Sequence, residues 1–445
     1  MGSSMRNVVV VDGFRTPFCK EGTEFRETDA DVLGAWVVRD MIQRCHRWNL
    51  PLDTIDCVLG SNVATPMHAV NPTRVAAVTG GLPLTIPADT VAGKNCGSGV
   101  TALYYASLRI RSGDADTVLV IGMEAMSRIP VIYHKHVADL LLQYGKARTL
   151  RERIAGTAAL LPKLLNLTRY PPQAGLMLGL TDPMCDLIMG LTAENIAKDP
   201  MLGISRLEQD DYAVRSHKRA AAAWDKGLFA DEVVPMYVPE LSGYVERDNG
   251  IRADAGQETF ADMKPVFDRR HGSVTPANAS QITDAAAAVL LMEEEKAKSF
   301  GLPILGYVRE YADFGYEPSC MGLAPVGAIA KLLSKSRLTL KDCSLFEINE
   351  AFASVVLGIS RILDSPSLME RKFGRYGLTE PLGEIPPDDL NPHGGAIALG
   401  HPVGVSGLRL ALTSLFELKR RDAERALISA CVGGGQGVAM ILERT

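Results

Sequence analysis

The chain of 445 residues contains no apolar run approaching the roughly 18 residues that a membrane-spanning helix needs. It has no C-x-x-C pair. Its eight cysteines (Cys19, Cys45, Cys57, Cys96, Cys185, Cys320, Cys343 and Cys431) are scattered, which argues against a zinc site or a disulfide framework. Neither sign of charge dominates: 47 Lys and Arg stand against 52 Asp and Glu, so nothing marks a nucleic-acid partner. The first residues show neither a charged region followed by a long apolar one nor an Arg-rich amphipathic pattern, so no secretory signal or transit peptide is expected. The expectation is a reducing, cytoplasmic setting in which most thiols are buried and inert.

What is present reads as an ordinary soluble enzyme, with 47% hydrophobic and 22% charged residues. Single cores stop growing near ~250–300 residues, so two or three domains are expected. Short β-branched runs (Val8–Val11, Thr117–Ile121) alternate with helical patterns (Asp29–His46, Gly99–Arg111). The alternation returns in Pro303–Val308, Val326–Ser334 and Ala426–Ala430. This order predicts an α/β fold with helices packed on mixed or parallel sheets. An internal echo sharpens the expectation. Gly99–Met123 slides onto Gly407–Cys431 without gaps, so that Gly99 meets Gly407, Asp114-Ala115 meets Asp422-Ala423, and Val118–Val120 meets Ala426–Ile428. Both copies read as a glycine turn, a long helix, an acidic turn and a buried strand. Duplicated halves would deliver site residues from equivalent loops. Residues 128–264 break the alternation and read as a large excursion.

Four clusters can carry chemistry. Cys96 lies in Gly93-Lys94-Asn95-Cys96-Gly97-Ser98-Gly99, before an apolar helix pattern. Free backbone N–H groups and the positive helix end there are expected to favour the thiolate. Asn391–Pro402 presents His393 and His401 just before the echoing helix. His401 could meet Cys96 as a base, whereas His393 reads as a hydrogen-bonded structural residue. Cys431-Val432-Gly433-Gly434-Gly435 follows a buried strand and lacks the Gly-Lys-Ser/Thr ending of a P-loop. It could transfer a proton and help bind an oxyanion. Asn349-Glu350 ends another buried strand, where both side chains need partners.

Together, in this order, the four clusters resemble the thiolase family. Arg15-Thr16-Pro17, Gly122–Ser127, Met189–Asn195 and Val274–Ser280 extend the resemblance over nearly the whole chain. It implies an α/β thiolase-like fold of two duplicated halves, each a helix-layered five-stranded mixed sheet, with an inserted loop domain. The corresponding division is 1–127 for the first half, 128–264 for the loop domain, 265–295 for a return to the first half, and 296–445 for the second half. It implies ping-pong acyl transfer. Cys96 would be the nucleophile, His401 would accept its proton, and Cys431 would act as acid and base. Asn349 and His401 would form one oxyanion hole, and the N–H groups of Cys96 and Gly433 the other. Ser280 would bond the pantetheine arm of coenzyme A, with Arg252 near its nucleotide end. Coenzyme A enters as substrate, and neither a further cofactor nor a metal is expected.

The leading expectation is 3-ketoacyl-CoA thiolysis in fatty-acid β-oxidation. Biosynthetic acetyl-CoA condensation is the alternative, and a non-catalytic lipid-binding or scaffold role is remote. Ile188 stands before Met189-Gly190, where several short-chain thiolases carry a histidine, and Lys94-Asn95 is an unusual lead into Cys96. Residues 137–167 place apolar positions at helical spacing among Lys146, Arg148, Arg151, Arg153 and Lys163, with Pro162 expected to bend or end the helix. That insert is similar to the one in β chains of trifunctional complexes, which implies contact with a membrane surface or a hydratase/dehydrogenase partner chain. A homodimer or homotetramer is also expected.

Overall fold

The computed structural model describes residues 6–444. Nine strands build its main sheet: β1 Val8–Arg15, β2 Cys57–Ser61, β3 Ala88–Val91, β4 Thr117–Glu124, β5 Thr283–Glu293, β6 Gly306–Gly315, β7 Leu345–Ile348, β8 Arg425–Val432 and β9 Gln436–Glu443. Their order is β7-β8-β9-β6-β1-β5-β4-β2-β3, and a two-residue strand, Cys19–Lys20, adds to β5. The first half is the run from β1 to β3, and the second is the run from β6 to β7. The β1–β6 pairing joins them through Val9–Tyr307 and Val10–Gly306.

The two halves repeat each other in the register predicted by the echo. Thr117 pairs with Met292 as Arg425 pairs with Glu443, and Val118 pairs with Cys57 as Ala426 pairs with Leu345. Even the bulges coincide. Val11 is the extra residue of β1 between the Val10–Leu291 and Asp12–Leu290 pairs, and Arg309 is the extra residue of β6 between Val308–Leu442 and Glu310–Ile441. The first half has five strands. In the second, the fifth position is a single parallel bridge between Phe346 and Leu390.

The strands are buried on both faces, so their side chains alternate between layers. In β4, Val118 and Val120 face one core while Leu119, Ile121 and Met123 face another. In β8, Ile428, Ala430 and Val432 share the first of these cores, while Leu427 and Cys431 face a third. The shared core holds two helices, α3 Ser98–Ser112 and α6 Ser406–Arg421, while α1 Ala30–Arg47 with α2 Pro72–Gly80, and α4 Ala324–Ser336 with α5 Ala353–Asp364, cover the outer faces. The result is five layers, helix–sheet–helix–sheet–helix.

The central helices cross at the glycines the echo aligned. A Cβ on Gly407 would lie 2.4 Å from Val100 N, and one on Gly99 would lie 3.0 Å from Leu408 N. Any side chain at either position would force the helices apart. Arg15, fully buried at the end of β1, pairs with Glu232 at 2.6 Å and Asp248 at 2.7 Å and so ties residues of the excursion to the sheet.

Ile129–Thr181 forms a compact unit of its own. Its helical stretch is two helices, Lys135–Lys146 and Leu150–Leu165. The break falls at a capping box, in which Thr149 Oγ1 accepts from Glu152 N and Glu152 Oε2 accepts from Thr149 N. Of the two expected outcomes at Pro162, an end to the helix is not seen, since the second helix continues to Leu165. So near the C-terminus the ring costs a single backbone bond.

Candidate active site

Cys96 sits in a 3₁₀ turn, Asn95–Gly97, that leads into α3. Gly97 packs so tightly on β8 and β9 that a Cβ there would lie 2.8 Å from Val432 Cγ2. This seats the thiol against the second half of the molecule, with the Gly433 N–H near enough to its sulfur to favour the thiolate. The expectation of a ready thiolate fails. Burial outweighs the two backbone N–H groups at the sulfur and pushes the Cys96 thiol up to about 11. The resting group is a protonated thiol that needs a base.

His401 supplies an acceptor. It lies in the turn before α6, after Gly400, whose φ of +114° and tight fit on Thr283 admit no side chain. Burial, with the Arg409 charge second, pushes the imidazole down to about 4, so it is neutral at physiological pH. Nδ1 is 2.6 Å from Ser406 Oγ, which is 3.1 Å from Pro402 O. Ser406 has one hydroxyl proton, so both contacts are satisfied together only if Oγ donates to Pro402 O and Nδ1–H donates to Oγ. Nε2 is then bare, and it is buried with no partner among the described residues. His393, by contrast, is occupied by Glu417 at 2.7 Å, as its structural reading anticipates.

The two turns abut. A Cβ on Gly99 would lie 3.2 Å from Gly404 O. Glu124 ties the Gly404 turn to the end of β2, accepting from Gly404 N at 2.7 Å, Ala64 N at 2.9 Å and Val63 N at 3.1 Å. Burial raises its carboxyl to about 7 despite these donors.

Cys431 is the last residue but one of β8, near Cys96. Its thiol is pushed up by burial first and by the Cys96 sulfur second, which keeps it protonated. Asn349 N donates to Ser429 O at 2.8 Å, which places Asn349 next to Cys431's strand. Both its amide Nδ2 and Oδ1 are buried and unpartnered among the described residues. Glu350 faces the other way. It accepts from Ser216 Oγ at 2.6 Å, Tyr212 Oη at 2.9 Å, Asn391 Nδ2 at 3.0 Å and Ile397 N at 3.2 Å, and so anchors the His401 loop.

Gln281, next to Ser280, ties Gly250 and the His401 loop together: its Nε2 donates to Gly250 O and Ile397 O, both at 2.9 Å, and its main-chain carbonyl accepts from His401 N at 2.9 Å. Ser280 is partly exposed at this junction, and its own N–H donates to Ala351 O at 2.9 Å. Arg252 is partly exposed beside Met263 and Phe260, and its charge also acts on Lys20. Sequence reasoning did not single out Ser406, Gln281 or Asp182, and read Glu124 only as part of a motif. Only the identity of Ser406 at a helix start hinted at its place. The described residues contain no His, Cys, Asp and Glu grouping fit for a metal.

The site thus holds two protonated thiols, one bare imidazole nitrogen, an aimed N–H and a free amide, a set able to add a thiol to a carbonyl and stabilise the oxyanion. Known proteins of the same architecture carry acyl-transfer names. The chain is 37% identical to a 3-ketoacyl-CoA thiolase of Pseudoalteromonas translucida, over 98% of this chain and 96% of that one. It is also 37% identical to an acetyl-CoA acetyltransferase of Pseudomonas aeruginosa, over 99% and 100%. The crystal structure of human mitochondrial 3-ketoacyl-CoA thiolase aligns over all of both chains with TM-score 0.83 and 32% identity. The same human enzyme in complex with CoA aligns at TM-score 0.82, over 99% of this chain and 98% of that one. The family descriptions "Thiolase, N-terminal domain" and "Thiolase, C-terminal domain" match residues 8–295 and 302–444. The chain belongs to the thiolase family and is an acyltransferase.

Proposed function

We propose that the chain is a degradative 3-ketoacyl-CoA thiolase. One observation carries the reading: the Cys96 thiol lies with the Cys431 thiol and the Gly433 N–H where α3 begins and β8 ends, and the turn of His401, whose Nε2 is bare, abuts the turn of Cys96. As Cys96 Sγ attacks the 3-keto carbon, His401 Nε2 takes its proton, because the thiol is too weak an acid to ionise alone. The Cα–Cβ bond breaks and the departing acetyl-CoA carbanion takes the proton of Cys431. The shortened acyl group remains on Cys96. Free CoA gives its thiol proton to the Cys431 thiolate and attacks the acyl-enzyme, and His401 returns its proton to Cys96. The water that Asn349 can hold, together with the protonated Nε2, would stabilise one oxyanion, and the Cys96 and Gly433 N–H groups the other. Ser280 and Arg252 would receive the pantetheine arm and the nucleotide end of CoA.

Chain length is read from the residues beside Gly433. Met189 Sδ lies beside Gly433, and Ile188 precedes it, so an apolar wall stands where a histidine would be polar. This supports medium to long acyl chains. The test is a profile of thiolysis rates from acetoacetyl-CoA upward. Rates rising with chain length support the reading, and activity confined to acetoacetyl-CoA would favour the biosynthetic one.

Homo-oligomerisation is part of the proposal. β3 is an outer edge of the sheet, and Met67, Val70, Leu84, Tyr105 and Leu108 nearby in sequence to it or on α3 are exposed apolar residues. The hairpin 135–165 exposes Leu142, Leu150, Ile154, Leu161 and Leu165 among its basic residues, which supports an anionic membrane surface as its contact. Co-sedimentation with anionic vesicles that disappears at high salt would support it, and retention of a hydratase/dehydrogenase chain alone would replace it.

A further inference from the structure

The peptide unit between Gly433 and Gly434 is gripped at both ends. Its carbonyl, Gly433 O, accepts from Asn95 Nδ2 at 3.0 Å. Its N–H, on Gly434, donates to Asp182 Oδ2 at 2.9 Å. The other oxygen of Asp182 accepts from Met184 N at 2.8 Å, and Asp182 itself is buried. A planar peptide held through both its oxygen and its nitrogen cannot rotate. The loop needs such restraint, because Gly433, Gly434 and Gly435 lack side chains, and the last two adopt φ of +91° and +72°.

Asn95 serves two ends of the site at once. Its φ of +44° lies in the left-handed region, which asparagine tolerates better than most residues, and sets the direction in which the chain enters Cys96. Its side chain then reaches the loop that faces the sulfur. The preceding Lys94 reinforces the link, with Nζ donating to Gln436 Oε1 at 2.9 Å and Asp313 Oδ2 at 3.0 Å. Gln436 in turn pairs with Val432 across the hairpin that carries the glycines. The unusual Lys94-Asn95 lead therefore staples the Cys96 turn of one half to the glycine hairpin of the other.

We propose that Asn95 and Asp182 are positioning residues: they fix the Gly433–Gly434 peptide on one side of the Gly433 Cα while the Val432–Gln436 pair holds the preceding peptide on the other, and together these restraints aim the Gly433 N–H at the oxygen that gains charge when Cys96 is acylated. The inference rests on the acyl-transfer reading of Cys96 given above. Neither residue touches substrate in this role, and both act through the direction of one N–H. Oxyanion donors act only when held at the place where charge develops, so a loosened loop loses rate without losing the sulfur.

Two reactions of Cys96 separate this role from general support of the turn. Acylation by acetyl-CoA builds an oxyanion, whereas alkylation by iodoacetamide does not. Asn95→Asp keeps size but sets an acceptor against Gly433 O. Asn95→Gly keeps the positive φ and removes the amide. Asp182→Asn leaves one oxygen for two N–H donors. Each variant should acylate Cys96 about 10- to 100-fold more slowly, while alkylation stays within about threefold of the parent. Acylation at the parent rate would overturn the inference, and so would parallel loss of acylation and alkylation, which would mean that the turn itself had moved. If the parent chain takes no acetyl on Cys96, the functional reading fails first. If the parent is acylated and the variants match it, the positioning role alone fails.

Discussion

Replacing Ser406 with alanine tests the proton bookkeeping of the site. Among the described residues Ser406 Oγ is the sole partner of His401 Nδ1, at 2.6 Å, and both residues are buried. Without the hydroxyl, the tautomer with a bare Nε2 carries an unsatisfied buried N–H, which costs about 1–3 kcal/mol. The other tautomer carries the same cost at Nε2, which is buried and unpartnered among the described residues, and it cannot accept from Cys96. The preference for a bare Nε2 is therefore lost, and the imidazolium formed as Cys96 gives up its proton lacks an acceptor for Nδ1–H, which costs about 1–3 kcal/mol in the step, so kcat should fall about 5- to 150-fold. Substrate binding should change little, because Ser406 lies behind the ring. The assay is steady-state thiolysis of acetoacetyl-CoA and a longer 3-ketoacyl-CoA, with thermal unfolding as a control. A kcat within about twofold of the parent would refute the assignment of Nε2 as the base.

Three further outcomes follow from the same geometry. Because the Cys96 thiol sits at about 11, its alkylation by iodoacetamide in the absence of substrate should climb about tenfold per pH unit from pH 7 to 9, as the thiolate fraction rises toward that value; a plateau near neutrality would mean a preformed thiolate–imidazolium pair. Gly407→Ala would drive a methyl to 2.4 Å from Val100 N at the helix crossing, so denaturant unfolding should show a loss of at least about 1–3 kcal/mol, and an unchanged midpoint would show that the helices yield. Glu350→Gln sets an amide against four donors that now meet a carboxylate, so both the unfolding temperature and kcat should drop; parent-like behaviour in both would remove Glu350 as anchor of the His401 loop.

The duplicated architecture was legible because strand and helix lengths are preserved where the halves correspond, so a gapless slide of Gly99–Met123 onto Gly407–Cys431 reproduces the observed ladder register. The reduced fifth position of the second half was not legible, since Leu390 lies in a stretch rich in Pro, Gly and acidic residues with no β-branched run. At the site, the four clusters could be found from residue types beside glycines and strand ends. The state of the Cys96 thiol could not, because a helix start suggests N–H groups and a dipole but does not reveal that the next residue, Gly97, packs on Val432 and Val438 and sets the sulfur against the second half. Side chains acting from afar were equally hidden. Asp182 and Glu124 reach the glycine loop and the Gly404 turn across long sequence separations, with no periodicity to announce them.

The most direct test is to incubate the chain with acetyl-CoA, quench in acid and map the peptides by mass. The geometry predicts acetyl on Cys96, lost again when free CoA is added before the quench. Acetyl on Cys431 alone would reverse the two thiols, and no acetyl on either would contradict covalent acyl transfer at this site.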